Sequence, residues 1–300
     1  MDYRAIQQRV AEMLGLPDDD SEYLDKIKSW INESYHAVSS LETWPWLVEN
    51  GAIQTVEEIT TGTISVTEDS TTITFSSAPT PSVAGWRIKF GSSNDWYNIS
   101  THTAAAVGAV LANNYLEATN GTQTYTLRKV YYALPSDFEK LISARQAITR
   151  TKLKPVDLRL FDANIPDPRI TRTPAFYMIV GQDSSQLYQM AFHPVPDDEM
   201  NIDIRYYKRT TDMSANTDVP FMPDPFRPVI VFDVLVKYGY MFIDDSRISQ
   251  AGQLRNKFLG DMKAHSNPSP DNVVRKLPWD RAQGFITRDK GLQYNLPIEG

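Results

Sequence analysis

The chain has 300 residues, 41 % of them hydrophobic, enough to bury one large core or two ordinary ones. Its formal net charge of -7 argues against a general nucleic-acid-binding surface, and the lack of cysteine excludes disulfides and thiolate metal sites. The first residues are amphipathic and charged, unlike a signal peptide, and no apolar run approaches the roughly 18 residues of a membrane span. We therefore expect no membrane contact.

Two amphipathic helices are predicted at the N-terminus. Apolar residues three or four apart predict the first helix over Tyr3 to Leu14. After an acidic break, Asp19 and Glu22 have the spacing of a capping box for the second helix. The apolar face of this second helix consists of Leu24, Ile27, Ile31, Tyr35, Val38 and Leu41.

Two tryptophans flank Pro45 at the end of the second helix. Proline has no amide hydrogen and disfavours helical geometry in the residue before it, so the helix should end near residues 41–43. We interpret Asn50-Gly51 as a turn, and the pattern becomes that of strands after it. Trp44 and Trp46 are therefore expected to seal a seam between two domains.

Residues 51–133 have the alternation of about seven short strands, which predicts an inserted β-sandwich or small barrel. Asn120-Gly121 is the expected turn of its last hairpin. A helix should follow, because Ser136 and Glu139 are spaced as a capping box. The apolar residues assigned to the inner face of this helix are Phe138, Leu141, Ile142 and Ile148.

Residues 176–209 contain three strand patterns and are expected to form a small antiparallel β-hairpin element. A nearly all-apolar helix should follow, with Asp224 as its N-cap and Pro225 at its first position. Its residues Val229, Phe232, Val236 and Tyr240 are expected either in the core or at a subunit interface. A fifth helix is predicted from one apolar face made of Ile248, Ala251, Leu254, Phe258 and Met262.

The last segment, residues 266–300, is predicted to be an extended arm. Four prolines forbid a continuous helix, yet the segment has more large apolar residues than disordered tails normally have. A disordered tail is the alternative. As partner-binding anchors we assign Leu277, Trp279, Phe285, Ile286, Tyr294 and Leu296.

The predicted fold is therefore α+β. A helical core of about five helices is assigned to residues 1–50, 134–175 and 210–265. The β module, the antiparallel β element and the C-terminal arm complete the chain.

No cofactor motif is recognisable, and the four histidines lack metal-ligand spacing, so we expect neither a cofactor nor a metal. His193 could act as a general base beside Asp197 and Asp198, but it could equally be a turn residue held by them. Asp244-Asp245 is interpreted as a helix cap.

The run from Tyr206 to Arg209 interleaves aromatic and basic residues, as a nucleic-acid-binding strand would. Because side chains alternate along a strand, a structural cross-strand role is the other interpretation.

Three stretches together resemble the head-to-tail adaptor (connector) proteins of tailed bacteriophages. They are INESYHAVSSLETWPWL, the segment from GWRIKFGSSNDWYNIS to LPSDFEKL, and PAFYMIV to IRYYKR with the apolar helix after it. The resemblance implies a ring of about twelve copies beneath the portal, at the head-to-tail junction of a virion assembled in the host cytoplasm. It implies no catalysis. The implied partners are the portal protein, neighbouring copies and a downstream tail or nozzle protein, with DNA passing through without specific binding.

Three alternatives remain at this stage. A tail-completion or neck protein of another tier shares part of the pattern. A glycan- or surface-binding tail accessory protein would use Trp86, Trp96 and Tyr97 as stacking platforms. A hydrolase would use His193 as its base.

Overall fold

The computed structural model describes residues 1–17, 21–164 and 170–266. The chain divides into two compact units, Met1–Val38 with Met213–Gly300, and Ser39–Asp212. We call the described part of the first the helical unit and the second the β unit. The helices are α1 (Tyr3–Leu14), α2 (Ser21–Ser40), α3 (Leu158–Asn164), α4 (Pro228–Tyr238) and α5 (Asp245–Ser266).

The helix α1 has the bounds that its apolar spacing predicts. The Asp2 carboxylate accepts a hydrogen bond from the Ala5 amide at 2.9 Å and caps the N-terminus. Gly15 ends the helix at φ 69°, a left-handed conformation that glycine adopts without a steric cost. Tyr3, Ile6 and Val10 are buried along one face, as their spacing predicts.

The helix α2 also ends close to the predicted position, at Ser40. Trp44 is extended, with ψ 133°, and Pro45 opens a short 3-10 turn that leads into the first strand. Leu41 lies beyond the helix and is 48 % exposed. The capping box predicted from Asp19 lies outside the described residues.

Proline sets the start of α4, but three residues later than predicted. Pro228, not Pro225, occupies the first position of the helix. The predicted N-cap Asp224 instead begins a 3-10 turn, where its carboxylate binds the Arg227 guanidinium at 2.6 Å.

The described residues contain fourteen strands, which form three sheets. The strands are β1 (Val48–Gln54), β2 (Ile64–Val66), β3 (Thr72–Phe75), β4 (Arg87–Phe90), β5 (Trp96–His102), β6 (Gly108–Leu111), β7 (Asn120–Gln123), β8 (Tyr125–Arg128), β9 (Tyr131–Ala133), β10 (Phe138–Gln146), β11 (Lys154–Pro155), β12 (Phe176–Gln182), β13 (Tyr188–His193) and β14 (Asn201–Lys208). Their orders are β7-β2-β3-β6-β5-β4-β8, β11-β12-β13-β9 and β1-β14-β10.

The seven-stranded sheet is a nearly closed barrel. Its edge strands, β7 and β8, are consecutive in the chain, which brings the two edges of the sheet near each other. Alternate residues of every strand except β7 point into one apolar core, which includes Ile64, Phe75 and Ile88. This agrees with the β module expected within residues 51–133.

The helix predicted over residues 134–148 is wrong, because this segment forms strand β10. Phe138 and Ala144 are buried in the core of the β unit, and β10 pairs with β14 along its length. Two register shifts interrupt that pairing, and each inserts an extra residue. The insertions turn a period of two into apolar spacings of three and four, which imitate a helix. Ile142 and Ile148, expected inside, are exposed.

The strands expected at residues 176–209 exist, but they do not form one element. β12 and β13 are an antiparallel hairpin in the four-stranded sheet, whereas β14 is the centre of the three-stranded sheet. Residues of both sheets share one apolar core, which includes Met190, Phe192, Ile202 and Ile204. These two sheets therefore pack as a sandwich.

Neither Asn-Gly pair forms the predicted turn. Asn50-Gly51 lies within β1, and Asn120-Gly121 lies within β7. A Cβ atom on Gly51 would lie 3.3 Å from Ile204 Cγ1 and 3.4 Å from Tyr206 Cε1. Glycine is present at position 51 because the facing side chains approach the backbone.

Replacement of Gly51 with valine is expected to destabilise the β unit by about 1–3 kcal/mol, since the added atoms would overpack this contact. Gly121→Val is the control, because a Cβ atom there has no neighbour within 4 Å. Urea denaturation of both variants tests the prediction, and equal midpoints would contradict it.

Candidate interaction surfaces

Of the four residues predicted to lie in the core or at an interface of the α4 segment, some are buried and others are exposed. Val229 is fully buried, and Phe232 stacks on Phe258 of α5 with ring centroids 5.6 Å apart. Val236 is half-buried, whereas Tyr240 is 69 % exposed in the 3-10 turn after the helix. Val229 and Phe232 therefore belong to the core of the helical unit, and an interface role remains a prediction for Tyr240.

A buried ion pair joins α4 to α5. The Asp233 side chain is buried, and its carboxylate contacts Arg255 Nε at 2.5 Å and Lys237 Nζ at 3.0 Å. Both cations reach solvent in part. Asp233 was not predicted as a functional residue, although a single carboxylate in an apolar helix, four residues before a lysine, is a signal for a buried ion pair.

A groove of about 720 Å³ lies between α1, α4 and α5. Phe232, Leu235 and Leu254 line it together with the charged side chains of Arg9, Glu12 and Arg247. Tyr240, Met241 and Leu254 are large apolar residues exposed on the same unit. An apolar surface with charged neighbours suits contact with another protein.

The tryptophans assigned to the domain seam lie just after the boundary between the units. Trp44 is buried and stacks on Trp46, with ring centroids 5.0 Å apart and an interplanar angle of 10°. This stacking fixes the chain between α2 and β1. That the pair seals a seam remains a prediction.

His193 lies in an aromatic environment. Its ring is buried and packs edge-to-face on Phe161 at 5.2 Å, whereas Asp197 and Asp198 are exposed in the turn before β14. Neither carboxylate forms an ion pair among the described residues. Within the described ranges, no group of three or more potential ligands could hold a metal ion.

Residues 206–208 have the structural role of a cross-strand cluster. The buried Tyr206 hydroxyl donates to Asp137 at 2.9 Å, and Lys208 pairs with Glu49 at 3.2 Å. Burial, and then the Asp137 carboxylate, raise the pKa of Tyr206, and burial raises the pKa of Tyr132 to about 12. These hydroxyls therefore stay protonated at neutral pH and act as donors.

Two of the three aromatic residues proposed as glycan platforms lie inside the barrel. Trp86 and Tyr97 are buried in the barrel core, so the platform interpretation is wrong for them. The Arg128 guanidinium lies 4.4 Å from the Trp96 ring centroid. Arg128 is in turn paired with Glu58 at 2.5 Å, so this face of Trp96 is covered by an internal contact.

Asp244 caps α5, as its position predicts. Its carboxylate accepts hydrogen bonds from the Ser246 hydroxyl at 2.7 Å and the Arg247 amide at 2.9 Å. These bonds lower the pKa of Asp244. The six arm residues assigned as anchors all lie outside the described residues.

Comparison with protein families decides the identity. The model of a family described as SU10 adaptor protein matches residues 93–275, more than half of the chain. The chain belongs to this family of bacteriophage head-to-tail adaptors. No curated protein matches it.

Membership makes this adaptor a structural bacteriophage protein, consistent with the expectation that it is not an enzyme. It implies interaction with portal and tail proteins and a location at the head-to-tail junction of the virion. Among the described helices of the adaptor, none is long and apolar enough to cross a membrane.

Proposed function

We propose that the adaptor forms an oligomeric ring beneath the portal, joins the capsid to the tail and lines the channel through which DNA passes. Family membership supports this proposal most strongly, because the matched residues run from the barrel to α5. By resemblance, the ring has about twelve copies. Assembly takes place in the host cytoplasm, and a tail or nozzle protein binds below the ring.

The helical unit offers the surface for the portal or a neighbouring copy. Its exposed Tyr240 and Met241, and the groove beside Leu254, provide apolar area that the unit does not cover itself. The arm of residues 266–300 supplies a second contact, with Leu277 and Trp279 among its anchors.

Attachment to particles that carry portal but lack the adaptor tests the function. Purified adaptor should bind such particles and sediment with them in a density gradient. Capsids without a portal vertex are the control and should bind none. Equal binding to both, or to neither, would contradict the proposal.

We expect that DNA passes through the adaptor ring without binding to it. The net charge of -7 per copy, repeated around a ring, repels phosphate. Fluorescence anisotropy with a plain duplex at physiological salt should therefore show no binding at micromolar adaptor concentrations. Micromolar affinity would contradict this prediction.

A further inference from the structure

The outer face of the three-stranded sheet concentrates positive charge in an otherwise acidic chain. In the pairing of β10 with β14, Lys140 lies opposite Tyr207 and Arg145 opposite Asp203. Lys152 lies opposite Arg145 in an isolated bridge. Residues opposite each other share a face of the sheet. We define the basic face as Lys140, Arg145, Lys152 and Arg205.

The cations of the basic face are uncompensated. All four are exposed, and none forms an ion pair among the described residues. Arg205 Nε donates to the neutral Asn50 side chain at 3.1 Å. Two exposed carboxylates lie on these strands, Glu139 beside Lys140 and Asp203 opposite Arg145, so the four cations still outnumber them. A groove of about 390 Å³ lies between Arg145 and Arg205, so a partner's side chains can enter beside both guanidinium groups.

The barrel has the opposite charge at one end. Three loops, residues 67–71, 91–95 and 112–119, contain no lysine or arginine. We define the acidic tip as their carboxylates, Glu68, Asp69, Asp95 and Glu117. None of the four forms an ion pair among the described residues.

The acidic tip is held in a fixed arrangement. The Asp69 amide donates to the Tyr115 carbonyl at 2.8 Å, and the Glu68 amide donates to Thr119 Oγ1 at 3.0 Å. The Tyr115 ring, in the third loop, also packs on Phe90, which directly precedes the second loop, with centroids 5.0 Å apart. The carboxylates are thus presented by ordered loops, which lowers the entropy cost of binding.

Strand direction separates the two surfaces within the β unit. β8 runs toward the sandwich, because it leads through Arg128 into β9. Every pairing in the barrel is antiparallel, which places the three acidic loops at the other end. The basic face belongs to the sandwich. The two surfaces have opposite charge and lie apart within one copy, so each can bind the other surface of a neighbouring copy. Repetition of such a head-to-tail contact can close a ring.

We propose that the basic face of one copy binds the acidic tip of the barrel of a neighbouring copy. This inference rests on the proposed ring and names a contact that builds it. The partner is a second copy rather than DNA, because the carboxylates of the tip and the cations of the face occur on the same chain.

Zero-length carbodiimide cross-linking tests the contact directly, since it joins a lysine amine to a carboxylate in van der Waals contact. A mixture of ¹⁴N and ¹⁵N adaptor, assembled on portal particles, distinguishes links between copies from links within one. Mass spectrometry should find Lys140 or Lys152 linked to Glu68 or Asp95 of another copy. The absence of such links from assembled particles would overturn the inference.

Charge reversal supplies a matched control. A face variant (Arg145→Glu with Arg205→Glu) and a tip variant (Glu68→Lys with Asp95→Lys) should each lower the yield of closed rings on portal particles about tenfold through like-charge repulsion. An equal mixture of the two should recover the wild-type yield, because alternating copies make every contact complementary again. Failure of the mixture to recover would overturn the contact.

The outcomes also separate this contact from the proposed function. Rings on portal particles that assemble equally well from either variant alone would overturn the contact and leave the function standing. Wild-type adaptor that never attaches to portal particles would overturn the function itself. A third outcome is that the wild type binds duplex DNA, the face variant does not, and ring yield does not recover in the mixture. That outcome would assign the basic face to DNA and overturn the inference.

Discussion

Replacement of Arg255 with alanine is expected to lower the free energy of unfolding of the helical unit by about 3 kcal/mol, near the lower end for a broken buried ion pair. Its partner Asp233 is buried, so the substitution leaves a carboxylate inside the protein with Lys237 as its remaining cation. Hydrogen exchange of the α4 amides measures the local free energy without assuming that both units unfold together.

Two further variants show whether the loss of stability comes from the unpaired Asp233 carboxylate. Asp233→Leu, added to Arg255→Ala, should recover most of the loss, since it replaces the unpaired carboxylate with an apolar side chain. Arg247→Ala is the control, because the Arg247–Asp244 pair is exposed on both sides and should contribute less than about 1 kcal/mol. A loss at Arg255 no larger than the loss at Arg247 would contradict the account of this ion pair.

Removal of the arm by truncation after His265 is expected to leave both units folded but to reduce occupancy on portal particles sharply. Trp279→Ala alone should reproduce much of this loss, since a buried tryptophan anchor contributes about 2–4 kcal/mol. That range corresponds to an affinity loss of about 30- to 1000-fold. A binding titration on portal particles measures it.

A second aromatic residue of the arm serves as the comparison. Tyr294→Ala should weaken attachment less than Trp279→Ala if Trp279 is the main anchor. Circular dichroism at 222 nm should show that the truncated adaptor, Trp279→Ala and Tyr294→Ala all keep their helices. Attachment of the truncated adaptor at wild-type affinity would exclude a binding role for the arm.

Elements whose signals are local could be predicted closely. The apolar spacing of α1, its acidic cap and its terminal glycine all favour the same bounds. Pro45 acts only on its neighbours, so the end of α2 followed from it. Most strands of the barrel alternate between buried and exposed residues, which explains why strands were predicted there.

Elements that depend on distant partners were missed. In β10, the bulges opposite β14 produced a helical spacing that nothing within residues 134–148 could correct. Gly51 resembles a turn residue, yet its role is set by Ile204, which is far away in the chain. The buried pair of Asp233 with Arg255, and the gathering of cations on the basic face, likewise arise only when separate elements come together.

We expect this adaptor to assemble as a ring on the portal, and electron microscopy can show such a ring by direct imaging. Purified adaptor mixed with portal particles should give end-on averages in which a closed ring, of about twelve copies, extends from the portal vertex. Side views should show the added density on the outer end of the portal only. Particles whose portal vertex is unchanged after mixing, or adaptor bound as single copies without closure, would contradict the account.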